Sequence, residues 1–372
     1  MSTARTRLCI VNPFQHGGGA EFQISLLIGA LRQTDRFDVY YLARHVDQTI
    51  SPAGYAVVRI GSSAGVPSFG YVMDFVPLYG ALRQINPQVI YQRVACGYTG
   101  ICALYARRHH ARMIWHVAHN TDVTSKSLDA GRNPVRRRLE RCSVDFGIRR
   151  ADRIVVQTRD QGELLRRHYG READAVVANF HPEPAEVPDK SGPPTVVWIA
   201  NLKRWKRPEV FVRLAQALQD LKGVRFLMIG EAPPARQDDW CATLMHSIAA
   251  TPGLEFLGHR TQDEVNRVLA RACIFVNTSL HEGFPNTFVQ AWLREAAVVS
   301  LTVNPDQVLD GRGVGIHAET EEGLARAVRT LLTNPALRAD YTQRARAYAR
   351  STHSVRNAGM LVEMIDACAA SV

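Results

Sequence analysis

A glutamate, a glycine and a proline fall within four positions of one another in Ser279-Leu-His-Glu-Gly-Phe-Pro-Asn-Thr-Phe-Val-Gln290. Just upstream, Cys273-Ile-Phe-Val-Asn277 is a short apolar run rich in β-branched and aromatic residues, the pattern of a buried parallel strand. Glu282 and Gly283 then lie near that strand's C-terminal end. Pro285 suits a first helical position, and residues 286–295 have helical periodicity. The first-turn N–H groups, at Asn286 and Thr287 among others, would therefore point into a crevice as an anion site.

Three other stretches place reactive or charged side chains after apolar runs. His16-Gly-Gly-Gly-Ala-Glu21 follows a strand and opens a helix, so the backbone at Gly18 and Gly19 can approach a phosphate or sugar closely. Its glycine spacing is not that of the dinucleotide fingerprint, which argues against a nicotinamide enzyme. Trp115-His-Val-Ala-His-Asn-Thr-Asp122 puts His116 and His119 at another strand end. Trp198-Ile-Ala-Asn-Leu-Lys-Arg-Trp-Lys-Arg-Pro208 is a basic turn carrying Lys203, Arg204 and Lys206. Preorganised cations of this kind stabilise negative charge that develops in a reaction without a metal. No Asp-x-Asp is present and the histidines lack partner spacing, so no dedicated metal site and no cofactor is expected.

The order and wording of these stretches resemble the retaining glycosyltransferases of family 4 over nearly the whole chain. That family carries a Glu, then Gly-Phe-Pro, then a second acidic residue eight positions after the first. Glu282, Gly283, Phe284 and Pro285 match, whereas Gln290 stands at the second acidic position. The resemblance implies that Glu282 lies beside the donor sugar and that Gln290 meets the ribose hydroxyls. An amide makes weaker bonds there than an ionised acceptor. It implies that Gly18 and Gly19 face the donor, and that His119, with His116 in reserve, contacts the reacting region. It also implies that Lys206 clamps the diphosphate. Asn201 occupies the place of a usual Arg, with Lys203 or Arg204 supplying the missing charge. Gly230-Glu-Ala-Pro-Pro234 and Leu257-Gly-His-Arg260 resemble loops flanking the nucleotide, with Arg260 on the donor side. The reaction so implied is metal-independent transfer of a sugar from a nucleotide-diphosphate sugar to a glycan or lipid-linked acceptor, with retention by front-face substitution. Gln290 and Asn201 keep open a catalytically inactive homologue that binds a glycan or partner, and a nucleotide-sugar epimerase or phosphorylase would share the architecture.

Those residues need scaffolding. At 372 residues the chain is long enough for about two α/β domains, and 46% hydrophobic with 22% charged residues is a globular composition. Strand-like runs at 8–12, 39–42, 89–91, 113–117 and 154–157 alternate with helical stretches at 22–32 and 160–168, which predicts a parallel sheet with right-handed crossovers. Prolines at 182, 184, 188, 193 and 194 mark a linker. A second alternation follows: strands at 195–199, 224–229 and 254–257, helices from 209 to 221 and near Trp240, then mostly helix from Thr320. The expected organisation is an acceptor-side domain over 1–180, a linker over 181–194 and a nucleotide-sugar domain over 195–352. These would be two doubly wound Rossmann-like domains facing a cleft, the GT-B architecture. The family resemblance implies that 353–372 returns to the first domain.

The net charge of +10 is uneven. Residues 101–150 carry 11 Lys plus Arg against 4 Asp plus Glu, densest at Arg132, Arg136, Arg137, Arg138 and Arg141. That helix also bears Val135, Leu139, Val144, Phe146 and Ile148, and an apolar face of this kind suits an anionic membrane surface or lipid-linked acceptor. No nucleic-acid module is present and no aromatics interleave with the basic run. No stretch approaches the roughly 18 to 20 apolar residues of a membrane span. The N-terminus shows no secretory leader, and seven scattered cysteines read as reduced thiols. A cytoplasmic protein, peripheral on the membrane's inner face, is the expectation.

Overall fold

The computed structural model describes residues 5–46, 54–61, 71–124, 134–232 and 239–371. It divides into two compact units, Met1–Phe180 with Val355–Val372, and His181–Ser354. In unit 1 the elements run β1 (Thr6–Val11), α1 (Gly19–Thr34), β2 (Phe37–Ala43), β3 (Ala56–Arg59), α2 (Phe75–Ile85), β4 (Val89–Arg93), α3 (Gly97–Arg108), β5 (Arg112–His116), α4 (Asn120–Thr124), α5 (Pro134–Arg150), β6 (Arg153–Val156), α6 (Arg159–Tyr169) and β7 (Ala175–Val176). The seven strands pair in the order β3-β2-β1-β4-β5-β6-β7, all parallel. Leu8, Cys9, Ile10 and Val11 have no exposed surface, as a central strand covered on both faces requires.

Unit 2 repeats the plan with β8 (Thr195–Ile199), α7 (Pro208–Ala217), β9 (Arg225–Ile229), α8 (Asp239–Ala249), β10 (Leu254–Phe256), α9 (Gln262–Arg271), β11 (Ile274–Asn277), α10 (Asn286–Leu293), β12 (Ala297–Ser300), α11 (Val308–Arg312), β13 (Gly315–His317), α12 (Glu321–Thr333) and α13 (Pro335–Thr352). Its six parallel strands are ordered β10-β9-β8-β11-β12-β13. Trp198 and Trp292 lie in the core on opposite faces of this sheet. The last helix, α14 (Arg356–Ala369), belongs to unit 1. Its Leu361 and Ile365 join the core under α1, and Asn357 Nδ2 donates to the Ala178 carbonyl at 2.9 Å.

Both sheets match the expected pair of parallel α/β domains, and local differences have physical causes. Pro285 caps α10 with extended backbone (ψ 122°) and does not begin it, because a proline at the cap leaves the first helical N–H groups facing outward just as well. The apolar residues of α5 do not form one stripe. Val144 and Ile148 are buried, but Val135 and Leu139 are 65% and 48% exposed. The buried position between them is Glu140, whose carboxylate accepts the Val72 N–H at 2.9 Å and is pushed up by burial. Arg132 lies outside the described residues. Among the described residues no helix is long and apolar enough to cross a membrane, and none of the seven cysteines is paired.

Helices α3 and α5 pack backbone to backbone. A Cβ placed on Gly147 would sit 2.5 Å from the Thr99 carbonyl, and one on Gly100 would sit 2.3 Å from Ser143 Oγ. Overpacking such a seam costs about 1–3 kcal/mol. Gly147→Ala should therefore lower the thermal midpoint by several degrees. Gly162→Ala on α6, where the nearest atom is 3.9 Å away, should be neutral or stabilising. Equal midpoints for the two variants would refute the close crossing.

Candidate functional site

The C-terminal ends of parallel strands are where open α/β sheets gather polar groups, and in unit 2 two strand ends are laced together. After β8, residues Arg204–Lys206 form a 3-10 turn. After β11, Thr278 is fully buried and its hydroxyl donates to the Lys206 carbonyl at 2.6 Å while accepting the Trp198 indole N–H at 2.8 Å. The Leu280 N–H donates to the Trp205 carbonyl at 2.9 Å, and the Trp205 and His281 rings stack with 5.1 Å between centroids. These contacts bring the Lys206 ammonium into a salt bridge with the Glu282 carboxylate. The ammonium also lies 4.0 Å above the Trp205 ring. Burial pushes the Lys206 ammonium below its ordinary range, Glu282 pulls it back up, and nearby Lys203 pushes it further down.

The helix after Glu282 is held from behind. Phe284 packs against His353 at 4.5 Å between centroids and edge-on to Trp292 at 6.0 Å, which fixes Gly283 and Pro285 at the entry to α10. No side chain caps α10. Asn286, its first residue, accepts at Oδ1 from His181 Nε2 at 3.2 Å. Thr287 follows on the same half-buried turn. Gln290 is buried and its Nε2 donates to Asn266 Oδ1 at 3.0 Å, so part of its amide links α10 to α9.

The remaining donor-side candidates divide. Lys203 is exposed at the start of the basic turn. Arg204 leans over the Trp240 ring at 5.0 Å, away from Lys206. Asn201 accepts the Glu231 N–H at 3.3 Å and thereby ties the loop after β8 to the loop after β9. In that loop Gly230 leaves no room for a side chain, since a Cβ would lie 1.8 Å from the Ala200 carbonyl oxygen. Pro233 and Pro234 fall outside the described residues. Arg260 folds back to donate to the His259 carbonyl at 2.9 Å.

In unit 1, Gly18 is the N-cap of α1 and Gly19 its first residue, again with no side-chain cap. Gly17 has φ +104°, open to glycine at little cost. Glu21 turns back toward Gly18 and accepts from Asn12 Nδ2 at 2.6 Å. His116 is buried at the end of β5 with Nδ1 2.6 Å from the Tyr91 hydroxyl. Burial, and then Arg93, push it far below the ordinary histidine range, so it is a neutral ring. His119 is only half buried, and its Nδ1 accepts the Thr121 N–H at 3.1 Å. Its loop is fixed by Asp122, whose carboxylate accepts the Ala118 and His119 N–H groups, both at 2.9 Å, and by Gln157, which donates to the Val117 and Ala118 carbonyls.

Sequence reading missed Asp122, His181 and Arg93. Asp122 stood three residues after a candidate histidine, the spacing of a turn cap, which was a usable signal. His181 sits in the proline-rich linker, where nothing local marks it. Among the described residues no three His, Cys, Asp or Glu side chains converge as a metal cage would need.

Residues 17–180 match the family described as Glycosyltransferase Family 4, and residues 193–334 that described as Glycosyl transferases group 1. The chain is similar to the lipopolysaccharide core biosynthesis glycosyltransferase LpsE of Rhizobium meliloti strain 1021, with 26% identity over 149 residues. That match spans 39% of this chain and 42% of the relative, less than half its length. Among solved structures, sucrose-phosphate synthase of Thermosynechococcus elongatus superposes with a TM-score of 0.81 at 14% identity, covering 99% of this chain and 100% of that one. HepE of Anabaena in complex with UDP-glucose superposes at 0.77 with 15% identity, covering 98% and 100%.

His181 makes a pH prediction. Burial lowers its pKa from 6.5 to about 3; the bond to Asn286 resists this, while His353 and Arg294 add to it. Between those values the unfolded chain holds the proton and the folded chain does not, so stability rises with pH through this window and is lost as pH falls from 6.5 toward 3. The contribution lost between pH 7 and 5 is about 2 kcal/mol. Denaturant unfolding at the two pH values should show that much less pH dependence in His181→Gln than in wild type. Parallel losses would mean that His181 titrates normally in the folded chain.

Proposed function

We propose that the chain, whose two α/β units share the GT-B fold and match glycosyltransferase family models over 17–180 and 193–334, transfers a hexosyl group from a nucleotide-diphosphate sugar to a glycan or lipid-linked acceptor with retention at the anomeric carbon. The observation that carries this reading is the half-buried Lys206–Glu282 pair beside the start of α10, which no side chain caps. A diphosphate on the N–H groups at Asn286 and Thr287 takes Lys206 as its counter-ion, and Glu282 is then released to orient sugar hydroxyls and favour positive charge developing at the anomeric carbon. Gln290 meets the ribose with the part of its amide that Asn266 does not use, and Lys203 adds charge where Asn201 supplies none. Gly18, Gly19, His119 and His116 are assigned to sugar binding by unit 1, and Arg260 to nucleotide binding by unit 2. The bond from the anomeric carbon to the diphosphate oxygen breaks as the acceptor oxygen bonds on the same face, and the acceptor proton leaves on the diphosphate. Preorganised cations and backbone dipoles supply the electrostatics, so no metal is required. HepE, described in complex with UDP-glucose, supports a UDP-sugar as the first donor to try. LpsE, described in lipopolysaccharide core biosynthesis, supports a surface-polysaccharide acceptor.

A specific observation also favours a peripheral membrane location on the cytoplasmic side. Val135 and Leu139 are exposed on α5 among Arg136, Arg137, Arg138 and Arg141. Apolar side chains set in a basic stretch bind anionic lipid, each nearby cation adding about 1 kcal/mol. Full-length protein should float with phosphatidylserine vesicles and not with phosphatidylcholine vesicles. Val135→Asp with Leu139→Asp should abolish the difference, and indifference of wild type to lipid charge would end this part of the reading.

Turnover of a nucleotide-sugar panel tests the reaction itself. Glu282→Gln should cut kcat by about 10²–10³ with nucleotide affinity changed only a few-fold, the cost of losing one preorganised transition-state contact. Lys206→Ala should weaken binding of the nucleotide diphosphate and lower kcat together. Gln290→Glu should tighten the nucleotide several-fold once the Asn266 amide turns to donate. Wild-type protein that binds no donor would point to an inactive homologue. Release of an epimerised nucleotide sugar or of sugar phosphate would point to the other chemistries, and an inverted product would remove retention.

A further inference from the structure

Helix α10 begins at Asn286 behind Pro285, a cap residue with no polar side chain to offer the N–H groups of the first turn. An asparagine at such a place can supply the missing acceptor itself, because its short amide reaches the backbone of its own turn and competes for it. Asparagines elsewhere in this chain do so. Asn334 Oδ1 accepts the Leu337 N–H at 3.0 Å at the start of α13, and Asn304 Oδ1 accepts the Leu309 N–H at 2.9 Å in the first turn of α11. Asn286 Oδ1 is instead held by His181 Nε2 at 3.2 Å, from 105 positions earlier in the chain.

The hold is made of buried parts. His181 and His353 are both buried, and the His181 N–H donates to the His353 carbonyl at 2.9 Å. His353 closes α13 with its own N–H on the Ala349 carbonyl at 2.8 Å, and its ring lies against Phe284, Trp292 and Tyr348 with centroids 4.5, 6.0 and 5.6 Å away. An imidazole is a costly side chain to bury, since an apolar one fills the space without taking a polar ring out of water. A donor aimed at Asn286 is what the ring supplies in return.

We propose that His181 is a positioning residue for the transfer reaction: by holding Asn286 Oδ1 off the first turn of α10, it keeps the N–H groups of that turn for the diphosphate of the donor. The identity of the anion rests on the glycosyl-transfer reading; the control of Asn286 by His181 does not. A glutamine at position 181 still presents an N–H to Asn286. A leucine or phenylalanine presents none, and the released amide oxygen then turns onto its own helix.

Hydrogen exchange of residues 284–290 without ligand, and titration with UDP, GDP and ADP, read the two parts separately. In His181→Leu the first-turn amides should exchange several-fold more slowly than in wild type, the opposite of what a loosened contact gives. The nucleotide that binds wild type should bind this variant about tenfold more weakly. His181→Gln should stay near wild type in both measurements. Removing the released oxygen, in His181→Leu with Asn286→Ala, should restore the faster exchange and return nucleotide affinity to within about threefold of wild type. Where His181→Leu does not fold, His181→Phe carries the same comparison. Faster exchange in the apolar variant, or a double variant that binds nucleotide no better than the single one, makes His181 a packing residue and overturns the proposal. Wild type that binds none of the three nucleotides, with exchange slowed in His181→Leu, would end the donor reading and leave the hold on Asn286 standing.

Discussion

The half-buried pairing of Lys206 with Glu282 is the constraint around which the strand ends of unit 2 are organised. Taking either charge out of water alone is costly, and the pair is tolerable only with close geometry and with neighbours that fix it. Those neighbours are the Thr278 hydroxyl on the Lys206 carbonyl, the Trp198 indole behind Thr278 and the stacked Trp205 and His281 rings. Each comes from the end of β8 or β11, strands that lie side by side in the sheet. The fold thus brings together two charges 76 positions apart in sequence, and the aromatic wall keeps them partly dry.

Parallel sheets make such an arrangement economical. Their strands carry no spare polar side chains along their buried length, as the fully buried runs of β1 and β11 show, so polar residues accumulate where strands end. In unit 1 these are Asn12, Arg93, His116 and Gln157; in unit 2 they are Asn277, Thr278 and Ser279. The same edge presents the N-termini of the following helices. Neither α1 nor α10 is capped by its N-cap side chain, and at α1 the Glu21 carboxylate turns back onto the Gly18 and Glu21 N–H groups. Capping is used elsewhere in the molecule: Thr158, Thr261 and Thr320 accept helix N–H groups at α6, α9 and α12. Helices α2, α7, α11 and α14, like α1 and α10, have no cap from the side chain of the N-cap residue.

Much of the fold was legible because buried parallel strands are apolar runs. Thr195–Ile199 coincides with β8, and the runs at 8–12 and 113–117 fall within two residues of β1 and β5. Strands β3 and β7 were not, since four and two residues with exposed or half-buried faces carry no such run. Residue types on α5 suggested one apolar face of Val135, Leu139, Val144, Phe146 and Ile148, but only Val144 and Ile148 are fully buried, beside Glu140, which is satisfied by a backbone N–H 68 residues away, while Val135 and Leu139 stay exposed. For the candidate site, residue types and their places at strand ends could be read from the chain. Their partners could not. Nothing near Lys206 in sequence announces Thr278, and nothing near Asn286 announces His181, 105 positions earlier. Local pattern specifies what can stand at a strand end, and only the closed sheet specifies what meets it.

The two departures from the family pattern, Asn201 and Gln290, then take on a common meaning. Each side chain is committed to the protein: Asn201 to the Glu231 N–H and Gln290 to Asn266. An arginine in place of Asn201 would lack an acceptor for that N–H, and a carboxylate in place of Gln290 could not donate to Asn266 at all. Both exchanges therefore swap ligand-directed charge for links between neighbouring loops and helices. The charge removed by Asn201 is partly restored by Lys203, close enough to Lys206 to lower its affinity for a proton. The Lys203 charge disfavours the Lys206 ammonium across the basic turn, whereas Glu282 favours it, so the charge of this turn is balanced by the carboxylate and not by its own members.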